Sequence, residues 1–422
     1  MTYKPYFFIL FSFLPLLGFA QVHQVNRPIR FWGSPDSKTA WKAFNDLSID
    51  FINTDHPFEA NQYLSALKSN VTSSSKRHPI YTPTFEYDKT APIKNIILMI
   101  GDGNGLAHIS AGMFAHGNEL NMAKLKHIGL VKTQSVDDFT TDSAAGATAY
   151  ATGQKTNNRA ISVSADDVDL QSLPELLKEY QFTNGIITTD RLTGATPAAF
   201  YSHVKDRDMV PEIAAALQNS SIDLFIGGGR SDFQNDSNNY IEQLEHAGYT
   251  FLPSLRDLSG ADAAKVGYFQ GEDNVPSVLQ ERGDYLSEAT TGALQFLKKK
   301  EQPFFLMIEG AMIDTGGHWN SAETVVEEEI DFDKAVGLAV QFADQNPGTL
   351  VLITADHETG GVTLPQGDMK SGKVELNFET EDHTAIMVPL FAYGVHAEEF
   401  MGFYENTFVF EKLLELVKKA HH

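Results

Sequence analysis

The chain has 422 residues, with 32 basic and 55 acidic side chains, so its net charge is −23 at pH 7. Hydrophobic residues make up 42% and charged residues 21%, an ordinary globular composition that excludes a largely disordered protein. The lack of cysteine excludes disulfides, thiolate-bound zinc and a thiol nucleophile. The acidic balance argues against nucleic-acid or anionic-membrane partners.

The first 20 residues are typical of a secretory signal peptide. Lys4 precedes an apolar run over residues 7–17, and Gly18-Phe19-Ala20 resembles a small-residue cleavage site. The apolar run is shorter than the roughly 20 residues that a membrane-spanning helix needs. We therefore expect cleavage after Ala20 and a periplasmic or secreted protein without a membrane anchor.

The rest of the chain divides into two segments that differ in composition and in hydrophobic periodicity. Residues 21–91 have a mixed composition with weak helical periodicity, and we expect a small N-terminal accessory segment there. From residue 92 to residue 422, short apolar runs alternate with amphipathic helical patterns. This alternation predicts one α/β domain, a three-layer sandwich with a mostly parallel central sheet and helices on both faces. A polar stretch at about 231–283 is expected to be an irregular insertion on the rim of the sheet.

The periodicity predicts individual elements in chain order. Strands are predicted over residues 95–100, 185–189, 223–226, 304–308, 350–354 and 386–393. Helices are predicted over residues 173–180, 332–343 and 405–419.

Carboxylates and imidazoles lie at the ends of several predicted strands. Ligands of open α/β sheets bind beyond the carboxyl ends of the strands, so we expect these side chains to meet. They are Asp102, Glu309, Asp314, His318, Asp356, His357 and His383. Converging carboxylates repel one another unless divalent cations neutralise them. Mixed oxygen and imidazole donors suit zinc, whereas oxygen alone suits magnesium.

A second signal is Ser143, which begins a run of small residues that predicts a tightly packed helix ending near Gly153. Its hydroxyl would lie where backbone N–H groups and the positive end of the helix dipole form an anion site. A plain helix N-cap is the alternative. Because no His–Asp pair and no Gly-x-Ser-x-Gly elbow accompany it, a serine nucleophile here needs a metal to activate it.

Taken in order, these segments resemble the successive motifs of the alkaline phosphatase family. The matching stretches are Ile100-Gly101-Asp102-Gly103, Asp142-Ser143-Ala144-Ala145, Ala195-Thr196-Pro197, residues 309–318, Ala355-Asp356-His357 and His383-Thr384. The resemblance covers roughly residues 93–396. It implies the alkaline phosphatase fold and an exported, metal-dependent hydrolase of small-molecule phosphate monoesters that acts through a phosphoserine. The family is often homodimeric, and dimer and monomer both stay open.

The resemblance also implies residue roles. Ser143 becomes the phosphorylated nucleophile and Arg207 the arginine that clamps phosphate. One zinc ion is implied on Asp314, His318 and His383, and a second on Asp102, Asp356 and His357. A magnesium ion is implied on Thr196 and Glu309, with Asp102 bridging.

Three positions depart from the family pattern. Gly194 stands where members often carry Asp or His, Thr315 where many carry Lys or His, and Gly317 where an acidic residue is frequent. These side chains tune the third metal and phosphate contacts. The departures therefore bear on magnesium and phosphate affinity rather than on the class of reaction.

Two other functions are weighed against this reading. A phosphodiesterase of the same superfamily is disfavoured by Arg207, because a diester offers one fewer free oxygen. A non-catalytic metal- or phosphate-binding protein is disfavoured by the intact Ser143. Two structural expectations complete the analysis: Glu327-Glu328-Glu329 is predicted to be a solvated helix face, and Trp319 to be a packed side chain or a wall of the site.

Overall fold

The structure, a computed structural model, describes residues 28–30, 35–235 and 238–421. The expected signal peptide, residues 1–20, lies outside the described residues. The chain divides into two compact units, Met1–Ser69 and Asn70–His422. Within the described ranges, no helix combines the length and apolar character needed to cross a bilayer.

The described part of the first unit contains helices α1 (Lys38–Asp46) and α2 (Pro57–Ser69). Ser37 caps α1, because its hydroxyl accepts a hydrogen bond of 3.3 Å from the backbone N–H of Ala40. Trp41 is buried, and its indole N–H donates to Asp36 over 2.9 Å. Helices this short are marginal alone, so these caps and contacts stabilise the unit.

The second unit is built on a ten-stranded sheet. Its strands are β2 (Asn95–Gly101), β3 (His127–Lys132), β4 (Thr183–Arg191), β5 (Leu224–Gly228), β6 (Tyr249–Phe251), β7 (Lys265–Phe269), β8 (Phe304–Gly310), β9 (Thr349–Thr354), β14 (Val388–Gly394) and β15 (Gly402–Glu405). They lie in the order β15-β3-β14-β9-β2-β8-β4-β5-β7-β6. Strand β14 runs antiparallel to β3 and β9, and every other neighbouring pair is parallel. The predicted α/β fold with a mostly parallel sheet is confirmed.

Smaller elements surround this sheet. Five further strands form a three-stranded and a two-stranded sheet: β1 (Val71–Thr72), β11 (Thr363–Asp368) and β12 (Lys373–Asn377), then β10 (Glu358–Thr359) and β13 (His383–Thr384). The α-helices of the unit are α3 (Leu106–Ala115), α4 (Ser143–Thr152), α5 (Leu173–Leu177), α6 (Ala195–Ala198), α7 (Val210–Ala216), α8 (Arg230–Phe233), α9 (Tyr240–His246), α10 (Tyr285–Lys299), α11 (Met312–His318), α12 (Ala322–Gln345) and α13 (Thr407–His421).

Strand β2 explains why helices cover both faces of the sheet. Side chains alternate along a strand, and those of Ile96, Leu98 and Ile100 enter one hydrophobic cluster while Ile97 and Met99 enter another. The first cluster includes apolar side chains of α4, and the second those of α10 and α12. A strand buried on both sides reads as a continuous apolar run, as this one does in the sequence.

The six predicted strands are all present, with ends shifted by no more than two residues. The segment 231–283 is more regular than its composition indicates, because it contributes α9 and the strands β6 and β7 to one edge of the sheet. Short strands near an edge bury few side chains, which hides their period in the sequence.

The prediction of a solvated face at Glu327-Glu328-Glu329 is wrong. These side chains lie on α12 and are 7%, 2% and 0% exposed. The sequence reasoning failed because their partners are distant along the chain: Lys76 lies 3.1 Å from Glu327, Asn104 donates to Glu329, and Arg282 donates to Glu328.

Candidate active site

Four adjacent parallel strands deliver polar side chains to one edge of the sheet. In the order β9-β2-β8-β4, their carboxyl ends carry Asp356 and His357, then Asp102, then Glu309, then Asp190. The first four were predicted to converge. A cleft at this edge is lined by Asp102, Asp190, Ser143, Arg207 and Asp314, among others.

Asp314, His318 and His383, hereafter the Asp314 site, form the more open part of the constellation. Asp314 and His318 lie one turn apart on α11, with 3.2 Å between Asp314 Oδ2 and His318 Nε2. His383 Nε2 lies 3.5 Å from Asp314 Oδ1 and 3.1 Å from His318 Nε2. These three ligand atoms are therefore close enough to hold one metal ion.

Backbone carbonyls set the orientation of both imidazoles at the Asp314 site. His318 Nδ1 lies 2.6 Å from the carbonyl oxygen of Glu381, and His383 Nδ1 lies 2.9 Å from that of Thr141. A neutral imidazole that donates from Nδ1 presents a lone pair at Nε2. Two such lone pairs then face each other and a carboxylate, and a cation between them removes the repulsion. Zinc ligands are commonly oriented in this way.

Asp102, Asp356 and His357, hereafter the Asp102 site, are buried. His357 Nε2 lies 3.4 Å from Asp102 Oδ1 and 3.3 Å from Asp356 Oδ2. Both of these carboxylate oxygens are buried without a hydrogen-bond donor. The other oxygen of Asp356 accepts backbone N–H groups of Gly103 and His357 at 3.1 and 3.0 Å, which fixes the carboxylate while leaving Oδ2 free for a cation.

The two sites adjoin each other. The rings of His357 and His383 stack with centroids 3.5 Å apart, and Asp314 is within reach of the Asp102 site as well as of its own. Thr359, which the sequence analysis missed, donates its hydroxyl to Asp314 and lies 3.2 Å from His357 Nδ1. Gly103 has φ +69°, and a Cβ atom there would lie 2.8 Å from the Asp314 backbone, so glycine is required.

Ser143 points into this arrangement from the first turn of α4. Its Oγ lies 3.2 Å from His357 Nε2, although the side chain is only 4% exposed. The N-cap of α4 is Asp142, whose carboxylate accepts the N–H of Ala145 at 3.0 Å. The hydroxyl of Ser143 is therefore not used for capping. Arg207 donates to the other oxygen of Asp142 over 3.1 Å, which fixes the guanidinium beside the cleft.

Thr196 and Glu309 lie deeper, on α6 and β8, and with the shared Asp102 they form what we name the Glu309 site. Both are 1% exposed. Glu309 accepts a short hydrogen bond from Thr188 of the neighbouring strand. Thr196 Oγ1 is buried without a hydrogen-bond partner. Oxygen donors alone, one of them unsatisfied, suit magnesium.

The electrostatics agree with cation binding. Burial and then the neighbouring acids raise the pKa of Asp102 well above its usual range, that of Asp356 to about 7 and that of Glu309 to about 8. Burial lowers the pKa of His357, whereas the hydrogen bond to Asp314 raises that of His318 to about 9. A divalent cation favours the ionised carboxylates and neutral imidazoles, so its binding releases protons.

Every residue that the sequence analysis singled out for this site is in one region of the fold. Thr359, Thr188 and Asp190 are polar residues of the site that were missed. Thr359 gave no signal, but Asp190 directly follows a predicted strand and is found by the same rule that selected Asp102. Trp319 is 65% exposed and lines the cleft, so the expectation of a packed side chain is wrong and that of a wall fits its position.

A family model described as alkaline phosphatase matches residues 93–373, two thirds of the chain. The chain belongs to the alkaline phosphatase family. Its structure is similar to that of alkaline phosphatase from the Antarctic bacterium TAB5, with a TM-score of 0.74 and 38% identity over 78% of this chain and 99% of that one. A mutant of the TAB5 enzyme has been solved with Mg bound in its M3 site.

Curated relatives agree. Alkaline phosphatase 4 of Bacillus subtilis (strain 168) is 29% identical over 374 residues, covering 85% of this chain and 81% of its own. Alkaline phosphatase of Escherichia coli (strain K12) is 30% identical over 399 residues, covering 76% and 85%. This alkaline phosphatase family member is accordingly a metal-dependent phosphomonoester hydrolase.

Proposed function

We propose that this phosphatase acts through a phosphoserine at Ser143, with one zinc ion at the Asp314 site, a second at the Asp102 site and magnesium at the Glu309 site. When bound, the cations neutralise phosphoryl oxygens and favour the ionised serine hydroxyl. The observation that carries the proposal is the position of Ser143 Oγ, 3.2 Å from a histidine of the Asp102 site and in one cleft with Arg207.

The chain's own residues perform three tasks in this mechanism. Ser143 Oγ forms a bond to phosphorus while the bond to the ester oxygen breaks and the alcohol leaves, taking up a proton. Water then breaks the phosphoserine bond, which releases inorganic phosphate and restores the hydroxyl. Arg207, fixed by Asp142, donates two parallel hydrogen bonds to phosphoryl oxygens, and the first turn of α4 stabilises negative charge beside Ser143.

The test is Ser143→Ala, with Ser110→Ala as the control because the Ser110 hydroxyl only donates to the carbonyl of Leu106. We expect Ser143→Ala to lower turnover of a nitrophenyl phosphate monoester by about 10³-fold or more and to abolish acid-trapped phosphoserine. The metal content should not change. Near-normal turnover in Ser143→Ala would contradict the covalent route.

The same assay decides between the alternatives. A monoesterase cleaves nitrophenyl phosphate much faster than the bis(nitrophenyl) diester, whereas a phosphodiesterase shows the opposite order. A non-catalytic binding protein cleaves neither and traps no phosphate on Ser143.

We also propose that the chain is exported, with a signal peptide at 1–20, an N-terminal segment at 21–91 and the catalytic domain at 92–422. The apolar run and cleavage pattern at the N-terminus support export. Sequencing the N-terminus of protein recovered outside the cytoplasm should give Gln21, and an intact Met1 would contradict cleavage. A homodimer stays a prediction for sedimentation to test.

A further inference from the structure

The end of β4 carries an acidic side chain that the mechanism above does not use. Asp190 follows Thr188 by two residues, and its backbone N–H donates to Thr188 Oγ1 over 2.8 Å. That hydroxyl in turn donates to Glu309, which lies opposite Thr188 in the parallel register of β4 and β8. Asp190 is thus placed beside the Glu309 site, at the wall of the cleft that holds Asp102.

The position of Asp190 explains the glycine at 194. A Cβ atom built on Gly194 would lie 2.2 Å from Asp190 Oδ2 and 3.1 Å from its Cγ. The backbone of Gly194 has φ −59° and ψ 155°, which any residue can adopt. The backbone conformation would accept a side chain at 194, but that side chain would have to displace the Asp190 carboxylate. The Asp190 carboxylate occupies the volume into which a side chain at 194 would project, two residues before Thr196.

Within the described residues, no basic side chain forms an ion pair with Asp190; burial raises the pKa of its carboxyl, and the charges of Arg207 and Arg191 offset this only in part. The guanidinium of Arg191 is directed to Asp232, Asn274 and Asp273, and Arg207 donates to Asp142. Asp190 is close enough to Glu309 for the two negative charges to repel each other. The Thr196 hydroxyl of the same site is buried without a hydrogen-bond partner. A divalent cation between the carboxylates of Asp190 and Glu309 would remove their repulsion.

Position 194, in the turn before α6, carries no acidic side chain for the magnesium site. We infer that Asp190, at the end of β4, supplies this carboxylate instead. The inference rests on the proposed magnesium at the Glu309 site. In this chain the Asp190 carboxylate fills the volume into which a side chain at 194 would project, so the acidic group would have moved from position 194 to position 190.

The test is the affinity of the zinc-loaded protein for Mg²⁺, measured by calorimetric titration, with zinc per chain determined by elemental analysis. We expect Asp190→Asn to weaken Mg²⁺ binding about tenfold or more while zinc stays at two per chain. Asp273→Asn is the control, because Asp273 lines the same cleft but is largely exposed and pairs with Arg191. It should bind Mg²⁺ like the parent protein.

The double variant Asp190→Ala/Gly194→Asp tests the inference in the opposite direction. It moves the carboxylate to position 194, and we expect Mg²⁺ affinity to return to within about threefold of the parent, well above that of Asp190→Ala alone. Unchanged Mg²⁺ affinity in Asp190→Asn, or a double variant no better than Asp190→Ala, would overturn the inference. A parent protein with two zinc ions and no Mg²⁺ binding would also overturn it and leave the two-zinc phosphatase standing, whereas a parent without zinc would refute the proposed function itself.

Discussion

Buried acids cluster on helix α12 and in the cleft. On α12, Glu328 and Asp331 accept the guanidinium of Arg282 at 2.6 and 2.7 Å, and Asp333 accepts the backbone N–H groups of Asn121 and Met122. In the cleft, Asp102 and Asp356 each keep a buried oxygen without a hydrogen-bond donor.

The difference lies in where the neutralising charge comes from. On α12, Glu328 and Asp331 are paired with Arg282 within the protein, and breaking this pair leaves buried charges. The cleft acids have mainly each other, imidazoles and hydroxyls as neighbours. Only a cation from outside the protein can neutralise them, and we expect their function to be the binding of that cation. The following experiments separate these two kinds of buried acid.

The largest effect is expected from metal removal. Exhaustive chelation should lower monoesterase turnover by about 10³-fold or more, because Arg207 alone cannot neutralise both the cleft carboxylates and the phosphoryl group. Turnover should return on adding Zn²⁺ and Mg²⁺ together. Full activity in protein that elemental analysis shows to be metal-free would contradict the claim that the cleft acids act by binding cations.

The acids of α12 should respond to loss of a protein partner instead. Arg282→Met leaves Glu328 and Asp331 buried without their cation, and we expect the free energy of unfolding to fall by about 3–5 kcal/mol. Zinc per folded chain should not change. Arg256→Met, at an exposed arginine, is the control. Denaturant titration measures the effect, and a loss of zinc with unchanged stability would reverse the assignment.

Arg207 tests the anion side of the cleft. Arg207→Ala should reduce kcat/KM for a phosphate monoester about 10- to 100-fold, since it removes charge-assisted hydrogen bonds of about 1.5–3 kcal/mol. Arg207→Lys should recover only part of this, because an ammonium lacks the planar fork. Equal kcat/KM in all three proteins would show that Arg207 does not contact the substrate.

The smallest expected effect is that Asp102→Asn stabilises the metal-free protein. Burial raises the pKa of Asp102, so in metal-free protein its ionisation costs stability as pH rises above the unfolded pKa. Asp102→Asn removes this cost, and we expect the metal-free variant to unfold about 2 °C higher than the metal-free parent at pH 8. The gain should shrink at pH 4, where the unfolded carboxyl is partly protonated. A lower unfolding temperature of metal-free Asp102→Asn than of the metal-free parent at pH 8 would contradict the account.

Much of the fold was predictable from local pattern. The central strands are buried on both faces and appear as uninterrupted apolar runs, and the strand-end rule selected Asp102, Glu309 and Asp356. The same rule applied to the strand ending near residue 189 would have selected Asp190.

Other features depend on contacts that no local pattern encodes. The burial of Glu329 depends on Asn104, which is 225 residues away. The strands β6 and β7 have only three and five residues, so their period in the sequence is weak. Thr359 looks like an ordinary loop residue until the fold brings Asp314 and His357 to its hydroxyl.

The most direct test of the central claim is anomalous diffraction at the zinc edge from crystals of the metal-loaded protein. The account predicts two strong peaks, one within coordinating distance of Asp314, His318 and His383, the other of Asp102, Asp356 and His357, close to Ser143 Oγ. No peak at either set of side chains, or zinc bound only elsewhere on the chain, would contradict it.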